Sequence, residues 1–183
     1  MALIMFVIAS SFARINIDPH HQGMVLKPAI DVLNGMVLYR DTYSMYGAFY
    51  TYFQALALWI FGAELLVLQI QTAFMYAVSV FLLYKLWRHF LPKAATMLSV
   101  VLFIAMAPFY TEFFYPWSSV FTMVFTLIII FILYSYINKE SITKLLLLGV
   151  MTAVSFYTRQ AVGGTLFLAV IIFLIVYALF VKE

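Results

Sequence analysis

Apolar residues fall in long blocks along this chain, and polar residues break them at short intervals. Residues 1–13 are apolar and residues 14–47 polar and aromatic. Apolar blocks then recur at 48–61, 64–84, 93–109, 117–137, 142–157 and 161–181. A helix rises about 1.5 Å per residue, so crossing a hydrocarbon core of about 30 Å takes about 20 residues. The blocks at 64–84, 93–109, 117–137 and 161–181 therefore predict transmembrane helices. The block at 142–157 is shorter but continuous with polar ends, and it counts as a fifth span. Pro92, Pro108 and Pro116 stand at the boundaries, where helices start or stop.

Two blocks are short. Residues 1–13 cover only about 20 Å as a helix. A signal peptide would need a basic segment ahead of it, and Ser10, Ser11 and Ala13 give only a weak cleavage pattern. A first transmembrane helix, tilted or lacking its start, fits better, and the chain then reads as a fragment or as a gene with a misplaced start. Residues 48–61 cover about 21 Å between Gly47 and Gly62, with Gln54 in the middle and Tyr50, Tyr52 and Trp59 suited to a membrane interface.

The polar stretch 14–47 holds two of the three His, three of the seven acids and three of the ten Lys/Arg. Asp18-Pro19 is a helix-start signature, with Asp able to cap and Pro suited to the first turn. Val25, Leu26, Ala29, Val32, Leu33 and Met36 follow at helical spacing, with Lys27 and Asp31 on another face. Gly35 is a helix stop, and Pro28 should kink or restart the helix. The result is an amphipathic helix lying on the membrane.

Composition agrees. The chain is 67% hydrophobic and 9% charged, with mean hydropathy +1.08. That is an all-α integral membrane protein of about six transmembrane helices plus interfacial helices, forming a single module over 1–183. The alternating ten-residue pattern of a β-barrel is absent. A net charge of +3 from scattered Lys/Arg gives nucleic-acid binding no support. With no cysteine, disulfides, thiolate metal sites and a Cys nucleophile are excluded. Ser118 and Ser119 lack the surroundings of a nucleophile triad, so hydrolase chemistry is disfavoured.

Orientation turns on residues 48–61. If they lie in the outer interface, six Lys/Arg face the cytoplasm and four face out, among them Arg14, Arg40 and Arg159. If they span, nine face in and only Arg159 faces out. Charge counting favours the second arrangement. Length and Gln54 favour the first. In the first, three of four Arg stand against the usual bias, which points to an anionic ligand such as phosphate.

Each polar candidate has a plain reading beside the chemical one. Asp18 suits a helix cap as well as a base, and the two are compatible. His20 and His21 are adjacent and cannot share one helix face, which disfavours a dedicated metal site; they could bond acceptor hydroxyls or headgroups. Lys27 and Asp31 suit a solvated ion pair. Arg40-Asp41 suits a loop brace. Glu112, in Pro108-Phe-Tyr-Thr-Glu-Phe-Phe-Tyr-Pro116, suits an interfacial loop. Arg159, between two apolar blocks, needs an anionic partner or water.

The segment DPHHQGMVLKPAIDVLNGMVLYRDTYSMYGAFYTYFQALALWIFG resembles the first extracytoplasmic loop of the GT-C glycosyltransferases, among them the bacterial lipid A aminoarabinose transferases and the protein O-mannosyltransferases. The shared features are an acid after the first span, an amphipathic helix ending near Asn34-Gly35, the Tyr39-Arg40-Asp41 turn, and Tyr46-Gly47 before a helix ending in Phe61-Gly62. The resemblance places residues 14–62 outside the cytoplasm, as in the first arrangement, in a bacterial inner (plasma) membrane. Members are much longer, so it also implies an N-terminal part.

The implied activity is transfer of a sugar from a polyprenyl-phosphate donor to an extracytoplasmic glycan, lipid or protein acceptor. The resemblance assigns Asp18 as base or metal ligand and Glu112 as a second acid. Arg159, with Arg40 or Lys27, would meet the donor phosphate, and His20 and His21 the substrate. It allows a divalent metal without naming a ligand cluster. The competing class is a transporter or flippase component for lipid-linked sugars, which needs the cation but no base; a third is a structural remnant that binds membrane lipid.

Overall fold

The computed structural model describes residues 1–13, 15, 18–106 and 115–180. They form eight helices: α1 (Ala2–Ser11), α2 (Pro19–Leu33), α3 (Ala48–Phe61), α4 (Leu65–Phe90), α5 (Lys93–Met106), α6 (Ser118–Asn138), α7 (Ile142–Thr158) and α8 (Gln160–Phe180). Among the described residues the only extended pairing is an isolated bridge between Leu38 and Thr42. By length and composition α4, α6 and α8 can each cross a membrane, and α1, α3, α5 and α7 are shorter apolar helices. The chain is an all-α integral membrane protein.

Side-chain contacts fix the helix directions. His89 and Phe90, ending α4, meet Tyr134 near the end of α6, with ring centroids 4.7 and 5.8 Å apart. The two helices therefore run parallel. Lys144, early in α7, donates through Nζ to the Ser135 and Lys139 carbonyls at 2.6 and 2.7 Å. Arg159, closing α7, bonds Ser119 at the start of α6. So α7 runs antiparallel to α6, and α8 returns along α7. The bundle thus has a lysine end, with Lys85, Arg88, Lys93, Lys139 and Lys144, and a loop end, with the starts of α4, α6 and α8.

This settles how α3 runs. Its N-cap, Gly47, donates its backbone N–H to the Thr158 carbonyl at the loop end, at 3.1 Å. Its C-cap Gly62 leads after a short turn into the start of α4, also at the loop end. Both ends of helix α3 therefore stand at the loop end of the bundle. Gln54 is fully buried there and donates to the Tyr50 hydroxyl at 2.5 Å.

Helix α2 turns the stripe Gln22, Val25 and Ala29 inward against α3. The apolar spacing anticipated this face, although Met36 lies beyond the helix and exposed. The helix runs unbroken across Pro28 rather than restarting there. It stops at Leu33, with Asn34 as C-cap and Gly35 next at φ +85°.

Between helices in lipid, burial from water contributes little, so close packing and hydrogen bonds hold the bundle. Met5, Leu58, Leu68, Phe121 and Val124 belong to the main core, and Ile129, Leu148 and Val170 to a smaller one joining α6, α7 and α8. Buried hydroxyls return to the carbonyl four residues earlier, as Thr72 does to Leu68, Ser79 to Met75 and Thr152 to Leu148. Two glycines allow backbones to touch. A Cβ on Gly47 would overlap the Tyr157 carbonyl, and one on Gly163 the Phe156 backbone.

Gly47→Ala and Gly163→Ala should each lower stability by about 1–3 kcal/mol, because backbone cannot give way as a side chain can. Gly164→Ala should be neutral, since its Cβ meets only the Phe156 ring at 3.9 Å. Thermal melting of the detergent-solubilised variants checks this, and an equal loss at Gly163 and Gly164 would contradict the packing.

Candidate functional site

The loop end gathers most of the chain's polar chemistry. Asp18 is the N-cap of α2, and its carboxylate accepts the His20 N–H at 2.9 Å and the His21 N–H at 3.4 Å. An ionised carboxylate only accepts, so the His21 ring donates from Nδ1 to Oδ2, at 2.5 Å. That bond, more than anything else, holds the Asp18 carboxyl below its ordinary pKa; desolvation acts the other way, and the two backbone bonds add to the lowering. Cap and charged acid coexist in one residue.

His21 carries the site toward α6. Its ring lies nearly parallel to Tyr115, with centroids 6.2 Å apart, and 5.7 Å from Trp117. Trp117 is the N-cap of α6 and meets Tyr46 edge-on at 6.4 Å. Burial raises the Tyr46 hydroxyl pKa, and the charge of Arg159 opposes that rise, so Arg159 lies within electrostatic reach of Tyr46. Arg159 is the half-buried C-cap of α7, and its Nη1 donates to Ser119 Oγ. Among the described residues no carboxylate pairs with it. Asp18 and Arg159, 141 positions apart in sequence, thus stand at one end of the bundle, joined through His21, Trp117 and Tyr46.

The other two cations are engaged locally. Lys27 Nζ donates to Asp31 Oδ2 at 2.5 Å, and Thr42 Oγ1 donates to the same oxygen at 2.5 Å. Asp31 is only 8% exposed. It ties α2 to the following loop, and the Lys27 and Thr42 bonds lower its pKa. Arg40 grips Asp41 with a two-bond fork, Nε to Oδ1 at 3.0 Å and Nη2 to Oδ2 at 2.8 Å. Asp41 also accepts the Val37 N–H at 2.8 Å. These pairs brace the loop. Tyr39 sits there at φ +65°, uncommon for a side chain. Its N–H donates to Thr42 and its hydroxyl to the Tyr46 carbonyl, at 2.8 and 2.5 Å.

His20 is exposed and meets His21 edge-on at 5.2 Å. With Lys27, Thr42 and Tyr43 it lines a cavity of about 490 Å³ beside the start of α2. A larger cavity, of about 550 Å³ between α1, α3 and α4, holds no titratable group. Among the described residues no three His, Asp or Glu converge as a metal site. Asp18 and His21 could offer a divalent cation two donors, but those donors already bond each other. Glu112, like Arg14, lies outside the described residues.

Tyr115 and Trp117 went unnoticed as site residues in the sequence, Tyr46 stood only in the loop pattern before Gly47, and Ser119 was set aside with Ser118 as lacking a triad. The only hint was Trp117, directly after Pro116 at the start of an apolar block.

A family model described as dolichyl-phosphate-mannose-protein mannosyltransferase matches residues 47–182. The match begins at the glycine that docks on Thr158 and takes in α3 to α8. Arg159, Trp117 and Ser119 fall inside it, whereas Asp18, His20, His21, Lys27 and Arg40 precede it. No curated protein and no solved structure matches the chain. The matched stretch is most of the sequence, and the chain belongs to the dolichyl-phosphate-mannose-protein mannosyltransferase family, membrane glycosyltransferases of the GT-C type.

Proposed function

We propose that this module moves a sugar from a polyprenyl-phosphate donor to a hydroxyl on the non-cytoplasmic side of a bacterial inner membrane, in surface glycan or glycolipid synthesis. The observation that carries the reading is the placement of Asp18 and Arg159 at one end of the bundle, linked through His21, Trp117 and Tyr46. The acceptor O–H gives its proton to the Asp18 carboxylate, and its oxygen attacks the anomeric carbon. The bond from that carbon to the phosphate oxygen breaks, and the electron pair leaves with the polyprenyl phosphate. Displacement in one step inverts the anomeric centre. Arg159 meets the phosphate as its charge grows, with a guanidinium fork that suits two phosphate oxygens. Among the described residues its bond is to a neutral serine and no acid pairs with it, while Lys27 and Arg40 are held by their acids. Glu112 is proposed as a second acid, and His20 as an acceptor contact. A divalent metal, where one binds, would take Asp18 as ligand.

The clustered cations support an orientation. Five of the described Lys/Arg gather at one end, which suits the cytoplasmic face and favours a loop on the outside. The chain has no cysteine, so single-Cys labelling has no background. Met36→Cys and Tyr43→Cys, both exposed, should react with an impermeant maleimide on intact cells, and Glu140→Cys only after permeabilisation. The reverse pattern would turn the protein over.

Asp18→Asn keeps a cap but loses the base, so transfer should fall about 100-fold or more with donor binding unchanged. Retained transfer would remove Asp18 and favour the transporter reading. The pH profile is a sharper test. The lowered Asp18 pKa keeps the carboxylate ionised below the ordinary carboxylate range, near 3.9, and rate should be lost only as pH falls through that lowered value. His21→Ala removes the main cause of the lowering, so the acid limb should move to higher pH. An unmoved limb would separate Asp18 from the rate.

Arg159→Ala should weaken binding of a polyprenyl-phosphate sugar in detergent by about tenfold or more, with Arg159→Lys restoring part of it. Were Arg159 only reaching for headgroups, Lys would serve equally well. Equal affinity in all three forms would end the phosphate assignment.

A further inference from the structure

The 490 Å³ cavity beside α2 carries features that the fold alone does not require. One wall is a single stripe of α2, namely His20, Gly23, Met24, Lys27 and Pro28, at positions i, i+3, i+4, i+7 and i+8. The opposite stripe is the one packed on α3. Two residues of the cavity stripe are poor choices for a helix. Gly23 costs about 1 kcal/mol against alanine, and a Cβ there would meet none of the described residues within 4 Å. No backbone approach demands the glycine, and the space it leaves open belongs to the cavity. Pro28 has no N–H, so the Met24 carbonyl, four residues back on the same wall, lacks its ordinary helical donor.

The facing wall is Thr42, Tyr43 and Met45, and it is firmly held. Thr42 is fixed by Asp31 and by the bridge to Leu38. Ser44, behind it, is buried and bonded to Thr51 Oγ1 at 2.9 Å. Tyr43 is 77% exposed, an aromatic ring standing at the opening. Pro19, first residue after the Asp18 cap, closes the near edge.

We propose that this cavity is the acceptor site and that it takes a neutral sugar. The inference rests on the transfer reading above and deepens it. Among the described residues its one cation, Lys27, is already neutralised by Asp31, which disfavours an anion. The apolar surfaces of Pro19, Met24 and Met45 and the Tyr43 ring suit the C–H face of a pyranose. His20, the Thr42 oxygen and the Met24 carbonyl can bond its hydroxyls. A few polar groups among apolar walls are what a small-ligand site needs. The edge of the cavity formed by Pro19 and His20 directly follows Asp18 in the chain.

The test is saturation-transfer NMR on the detergent-solubilised protein with methyl α-mannoside, methyl β-glucoside and methyl N-acetyl-β-glucosaminide. At least one should receive saturation from the wild type and from Gly23→Ala. Gly23→Trp, which fills the cavity from a position with open space, should cut that signal tenfold or more at unchanged melting temperature and unchanged donor affinity. Should Gly23→Trp fail to fold, Tyr43→Ala, which removes an exposed ring, should lower the signal in its place. The proposal is overturned if no glycoside gives a signal sensitive to these substitutions, or if a serine-threonine peptide or inorganic phosphate gives it instead. Sugar binding that persists while donor binding and transfer are both absent would discard the transfer reading and leave a sugar-binding cavity standing.

Discussion

The loop end depends on one contact, the seating of Gly47 against the last turn of α7. The Gly47 N–H donates to the Thr158 carbonyl, and the absent side chain is what lets the two backbones meet. Thr158 precedes Arg159, and Tyr46 precedes Gly47. The contact therefore fixes the position of the cation relative to the polar loop. It also sets where α3 begins, and with it the course of the chain into α4. A larger residue at 47 would push the loop from α7 and part Tyr46 from the neighbourhood of Arg159.

Charge at this end is distributed unevenly. Asp31 and Asp41 each accept from a nearby cation, and both ion pairs lie within a few residues of sequence. The Arg40–Asp41 pair is exposed and contributes little to stability, and the Lys27 end of the other pair is exposed as well. Their value lies in geometry, since Asp31 also holds Thr42 and Asp41 also holds the Val37 amide. Asp18 and Arg159 differ. Asp18 is bonded by a histidine and by the helix start, and Arg159 by a serine hydroxyl. Among the described residues those partners orient the two groups without cancelling the arginine charge, which suits residues kept for a ligand.

Much of the architecture was legible in the sequence because lipid imposes a simple rule. Backbone polar groups in hydrocarbon must bond within their own segment, so long apolar blocks become helices. Blocks drawn at 64–84, 117–137 and 161–181 correspond to α4, α6 and α8, and the helix at Ala48–Phe61 has the bounds its flanking glycines implied. Asp18-Pro19 marked the start of α2 and Gly35 its end, both through local backbone chemistry. The ion pairs of Lys27 with Asp31 and of Arg40 with Asp41 were equally local.

What tertiary structure alone decided was proximity across the chain. Charge counting favoured α3 as a span. The parallel run of α4 and α6 and the Gly47–Thr158 bond put both of its ends at the loop end, which supports the re-entrant arrangement. Nothing in the spacing of residues tied His21 to Tyr115 and Trp117, because they belong to separate helices and meet only when α2 packs over the bundle. Gly23 gave no sign of itself, since an open space beside a glycine exists only once the 42–45 segment stands opposite. Sequence fixed which segments are helical, through hydrophobic length and capping. Side-chain packing fixed which of their ends meet, because that depends on contacts between residues far apart in the chain.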